Sequence, residues 1–195
     1  NASASGLTIV GPVTLGDSNL NVTVEADGGT GTIDIADGET IALDGNGDIT
    51  VNNGTNAPVG NVALGAVTLS DDGNINIISQ ANANIGNVSI DSLTFTNAAT
   101  GSADVTIAPN GDGDLGNTTI GPVAFGTGGD TDITIGAATN DNVGSVNIGV
   151  ITNANTSGAG IAVAGEDIGN ITFGAITNSG AGAQNGSYTV TAATG

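Results

Sequence analysis

The sequence contains no Lys, no Arg and no His against 19 Asp and Glu, so its formal net charge is −19. No salt bridge between side chains can form. Every carboxylate must be solvated, hydrogen-bonded to N–H groups or neutralised by a bound cation. Nucleic-acid binding is not expected, because the phosphate backbone is held mainly by Lys and Arg. An anionic membrane surface would repel the chain, and no apolar run approaches the roughly 18 residues that span a bilayer. Cys, Met and Trp are also absent, with only three Phe and one Tyr. The lack of cysteine leaves the redox compartment open. The scarcity of large side chains means that burial must come from Val, Ile, Leu and Ala arranged in an order that keeps them adjacent.

What is present is repetition. The chain is 38% hydrophobic with 34 Gly, and its apolar residues are rich in β-branched types that favour strands. A short strand of the form apolar, x, apolar recurs about every 27 residues. Its copies begin at Val22, Ile49, Ile75, Val105, Ile133, Ile161 and Tyr188. Alternation places the outer two side chains on one face and the middle one on the other. A longer unit recurs between these copies, in 59–69, 85–95, 115–125, 143–153 and 168–178, with a shortened form in 10–15 and a departure in spacing around 32–43. In the first full copy Val62 and Leu64 point inward, Gly65 makes a corner, and Val67 and Leu69 point inward again. Gly recurs at that corner as Gly11, Gly121, Gly149 and Gly174, with Asp91 in its place once. The corner needs either positive φ or close stacking.

These periods predict an all-β chain in which residues 1–195 form one single-stranded parallel β-solenoid domain. It has about seven rungs of about 27 residues, three short strands per rung. Equivalent side chains then stack about 4.8 Å apart, giving a rod on the order of 30 Å long. Asn61, Asn87, Asn117 and Asn170 are expected to form an amide ladder at one turn, broken by Ser145.

Candidate chemistry is confined to oxygen. With His, Cys and Lys missing, Ser187 and Tyr188 have no basic partner, so only paired carboxylates could catalyse, and an enzyme is not expected. Acidic turns at Asp44 and Asp48, Asp71 and Asp72, Asp112 and Asp114, and Asp130 and Asp132 combine carboxylates, most of them with flexible Gly. Such turns suit calcium, which takes 6–8 oxygens. The alternative is that Asp and Asn simply favour turns. Segment 128–134 resembles locally the glycine-aspartate nonapeptide of calcium-binding RTX repeats, without their period of nine. Thr23, Thr50, Thr106, Thr134 and Thr189 are expected on one outward face, and Thr14, Thr68, Thr94, Thr152 and Thr177 on a second. Ice-binding solenoids display such arrays. Eight Asn-x-Ser/Thr sequons occur, of which Asn53, Asn155 and Asn185, in turns, are the expected glycan carriers.

In organisation the chain resembles the repetitive, Gly/Asn/Thr-rich β-solenoids of secreted prokaryotic surface proteins and extracellular filaments. The β-helical polysaccharide lyases and hydrolases share that architecture, but they place Arg, Lys or His beside their carboxylates. The polar opening at Asn1, without an initiator Met, is what a removed signal peptide leaves, so a secreted or cell-surface protein is expected. No capping helix is evident in the sequence, and an uncapped rod stacks head to tail. The expected function is a structural homopolymer, a filament or surface layer; the alternatives are a segment of a larger adhesin and an ice-binding rod.

Overall fold

The computed structural model describes residues 7–24, 32–53, 58–80, 82–96, 101–137, 141–155, 157–179 and 186–192. They form a parallel β-solenoid of about six turns spaced about 28 residues apart, with three strands per rung, close to the expected seven rungs. One face is a seven-stranded sheet of Leu20–Val24, Ile49–Asn53, Ile75–Ile78, Val105–Ala108, Asp130–Ile135, Gly158–Gly165 and Gly186–Ala192. The other two faces share an 11-stranded sheet, because Ile33–Leu43, Val62–Leu69 and Val88–Phe95 each run unbroken through the corner. Later rungs split there, as in Thr118–Ile120 and Val123–Phe125. Among the described residues no helix is long and apolar enough to cross a membrane.

The long unit stacks in the register its sequence predicts. Val62, Leu64, Val67 and Leu69 lie on Val88, Ile90, Leu93 and Phe95, and these on Thr118, Ile120, Val123 and Phe125. A further inward column runs through Val59, Ile85, Leu115, Val143 and Ile168. Alternation therefore produces inward columns that are mostly apolar, interrupted by Thr118 and Asn153, and buried in one core along the axis. Phe95 and Phe125 stack directly, with ring centroids 5.1 Å apart at 12°.

Two registers differ from expectation. Ile49, Ile75, Val105, Ile133, Ile161 and Tyr188 form one column, but its first member is Leu20, and Val22 stacks on Val51 instead. A two-residue slip keeps the same face inward, so alternation alone does not forbid it. In the second rung Ile35 pairs with Leu64 while Thr40 pairs with Ala66, so a bulge separates two segments that are otherwise in register. From that bulge the Gly38 N–H, at φ 75°, donates to the Asp91 carboxylate 3.2 Å away.

Corner glycines are required by stacking more than by φ. Among Gly11, Gly121, Gly149 and Gly174 only Gly11 has positive φ, at 94°. A Cβ on Gly149 would lie 2.8 Å from the Gly121 carbonyl carbon, and one on Gly174 would lie 2.7 Å from that of Gly149. At Gly149 and Gly174 adjacent rungs pass too close for a side chain.

Candidate functional site

Without a cationic side chain, the carboxylates find their partners in the backbone of the next rung. At the turn entering the seven-stranded sheet, Asn19 Oδ1 accepts the Asp48 N–H at 2.9 Å, and Asp48 Oδ1 accepts the Asn74 N–H at 2.9 Å. The series continues as Asn74 Oδ1 takes the Asp104 N–H at 2.9 Å and Asp104 Oδ1 takes that of Asp132 at 3.1 Å. A second ladder runs from Asn84 through Asp114 to Asn142. Asp72 likewise accepts the Ser102 N–H at 2.7 Å. Each bond from N–H to carboxylate is charge-assisted.

The expected Asn ladder exists, in a different form. Asn61, Asn87 and Asn117 are exposed, and each Oδ1 accepts the backbone N–H of its successor, at 2.9, 2.9 and 2.8 Å, ending on Ser145. It joins side chain to backbone along the outside of a corner, not amide to amide. The carboxylate ladders follow the same rule, so Asn and Asp are interchangeable along a column.

The eight acidic residues expected to hold metal are distributed along the rod. Asp44, Asp71, Asp72, Asp112, Asp130 and Asp132 are exposed, and Asp48 and Asp114 are half-buried. Among the described residues no three Asp or Glu side chains converge in a way that would hold an ion. Two electrostatic groupings do arise, each with a member that sequence reasoning missed. Burial, first, and then repulsion from Asp130 and Asp104, raise the Asp132 carboxyl above its ordinary value, although the residue as a whole is exposed. Asp104 is raised chiefly by burial, and by Asp130, against the lowering effect of the Asp132 N–H it accepts. The second grouping is Asp112, Asp114 and Asp141. Asp141 is 0% exposed, neither carboxyl oxygen has a partner, and burial, then Asp112 and Asp114, push it up to about 6.

Two of the expected glycan carriers have buried side chains. Asn53 is only 1% exposed, its Oδ1 accepting the Gln80 N–H at 2.6 Å and its Nδ2 donating to the Gln80 carbonyl at 3.3 Å. Asn155 is 2% exposed, and its Nδ2 donates to the Gly129 carbonyl at 3.0 Å and to Thr131 Oγ1 at 3.3 Å. Both amides are buried, Asn53 as the last residue of the strand Ile49–Asn53. Asn185 lies outside the described residues.

The second Thr series is in register as Thr14, Ala42, Thr68, Thr94, Ala124, Thr152 and Thr177. In the first, Thr50, Asn76, Thr106, Thr134, Ala162 and Thr189 align, while Thr23 is displaced onto Asn52 by the slip of the first rung. The carboxylates of Asp48, Asp104 and Asp132 lie two residues away on the same face, so this surface is not the uncharged plane that an ice lattice would meet.

A groove of about 390 Å³ follows the corner lined by Pro58, Gly60, Asn61, Gly86, Asp114 and Leu115. Comparison of the chain with family models, with curated proteins and with solved structures gave no match.

Proposed function

We propose that this chain is an extracellular structural rod that adds to copies of itself end to end, as a filament or a surface-layer component. One observation carries the reading: among the described residues, the first and last rungs leave the core columns open. In the first rung Leu7, Ile9, Val13, Leu15 and Leu20 are only partly buried, whereas their stacking partners Ile33, Ile35, Ile41, Leu43 and Ile49 are sealed. In the last rung Ile171, Phe173 and Tyr188 are partly buried, and Ile176 and Val190 are 42% and 52% exposed. Among the described residues the strands of these rungs lie at the ends of both sheets, and such an edge is a template for another chain. A contact between the two unlike ends is heterologous and does not close, so repetition gives a fibre.

The chemistry of the side chains supports a structural role. With no His, Cys or Lys, the chain has only carboxylates and hydroxyls for proton transfer or nucleophilic attack. The same open ends also fit a segment of a longer surface adhesin, whose neighbouring rungs would cover them. Electron microscopy and sedimentation of the purified chain separate the two. Filaments of uniform width, lengthening with protein concentration, are expected; dispersed short rods at millimolar concentration would remove self-assembly and leave the adhesin segment.

A further inference from the structure

Asp141 occupies a position where the fold has no use for a charge. The bridge between Leu115 and Val143 and the bond from the Asn142 N–H to Asp114 Oδ1 place it in the column of Ala83 and Gly113, both buried. Its neighbours are tied on both sides. The Asp141 carbonyl accepts the Glu166 N–H at 2.7 Å, and Asn142 Nδ2 donates to Asp114 Oδ1 at 2.9 Å. Those bonds between rungs hold the backbone on both sides of the carboxyl. Asp112 and Asp114 face it from the turn before, and Glu166 and Asp167 occupy the turn after. No Lys, Arg or His exists in the chain to compensate them.

We propose that Asp141 is an acid-set latch on the corner that residues 141–145 form before Val146–Ile148. With a proton on the carboxyl, the corner closes over a neutral group. With the proton lost, a buried charge facing other carboxylates has no neutralising partner and favours opening of the corner, so that water reaches it. The bonds from Asn142 to Asp114 and from Glu166 to Asp141 break in that opening, which loosens the stacking of the last two rungs on the rest of the rod.

Because the folded chain holds this proton up to about pH 6, against an ordinary value of 3.8, the sign is fixed. The stabilising contribution is full below the unfolded value, falls as pH rises from there, and is gone once pH passes about 6. A displacement of about two pH units corresponds to a change of roughly 100-fold in the folding equilibrium between acid and neutral solution.

The experiment compares the full chain with Asp141→Asn by denaturant unfolding from about pH 4 to 8, together with hydrogen exchange at the corner. The wild type is expected to lose about 100-fold in its folding equilibrium relative to the variant as pH rises across this window. The amides of Asn142, Val143 and Glu166 should lose protection through about pH 6, beyond the chemical change in exchange rate. Parallel pH curves for the two proteins, or corner protection that ignores pH, would overturn the proposal. If Asp141→Asn does not fold, exchange in the wild type decides alone. Stabilisation of the wild type but not the variant by calcium chloride at pH 7.5 would also overturn it, by showing that an ion and not a proton neutralises the carboxyl.

Discussion

Replacing Phe125 with Ala empties one level of a core column and tests whether the rod is built from stacked columns. Phe125 is almost fully buried and lies on Phe95 with ring centroids 5.1 Å apart; on its other side the column passes to Asn153. Truncating a buried Phe to Ala costs about 3–5 kcal/mol through lost transfer energy and the cavity left behind. The lost ring pair is worth about 0.5–1.5 kcal/mol beyond burial. Water entering the cavity meets the buried Asn153 amide of the next rung, which places the expected loss near the lower end, about 4 kcal/mol. Phe125→Leu should cost only about 1 kcal/mol, since Leu43 and Leu69 fill the same column in earlier rungs. Urea unfolding measures both values. Hydrogen exchange should place the loss in Val88–Phe95, Val123–Phe125 and Ile151–Asn153, while Leu20–Val24 and Ile49–Asn53 keep their protection, because each rung contacts only its neighbours. An Ala variant within about 1 kcal/mol of wild type, or a Leu variant as damaged as Ala, would refute the column as the unit of stability.

Gly116→Ala puts a methyl 2.8 Å from the Gly86 carbonyl carbon and 2.8 Å from Asn87 Oδ1, so the rungs must separate there; a loss of about 2 kcal/mol or more is expected in thermal unfolding. Gly16→Ala, with nothing within 4 Å of the new Cβ, should melt with the wild type. Asp48 accepts both the N–H and Nδ2 of Asn74 through Oδ1. Asp48→Asn should therefore match or exceed wild-type stability, while Asp48→Ala loses about 1 kcal/mol. Calcium titration of the same three proteins, followed by thermal unfolding, would show an ion at this turn as a stabilisation that Asp48→Asn abolishes.

The sequence by itself determined the architecture and the chemical poverty of the surface. Alternating Val, Ile, Leu and Phe at a fixed interval can bury only if rung stacks on rung, and the column from Val59 through Ile168 was legible because equivalent residues recur without gaps. A chain without Lys, Arg or His obliges its acids to find N–H donors, water or ions, and that constraint also came from composition alone. Tertiary structure decided everything that depends on which rung lies over which turn. A strand of period two slips by two residues at no cost to its inward face, so only stacking could set Leu20 and not Val22 above Ile49. Likewise Asn53, Asn155 and Asp141 occur in stretches that read as ordinary polar turns. Burial is a property of the neighbouring rungs, and neighbours some 28 residues away close over these three side chains.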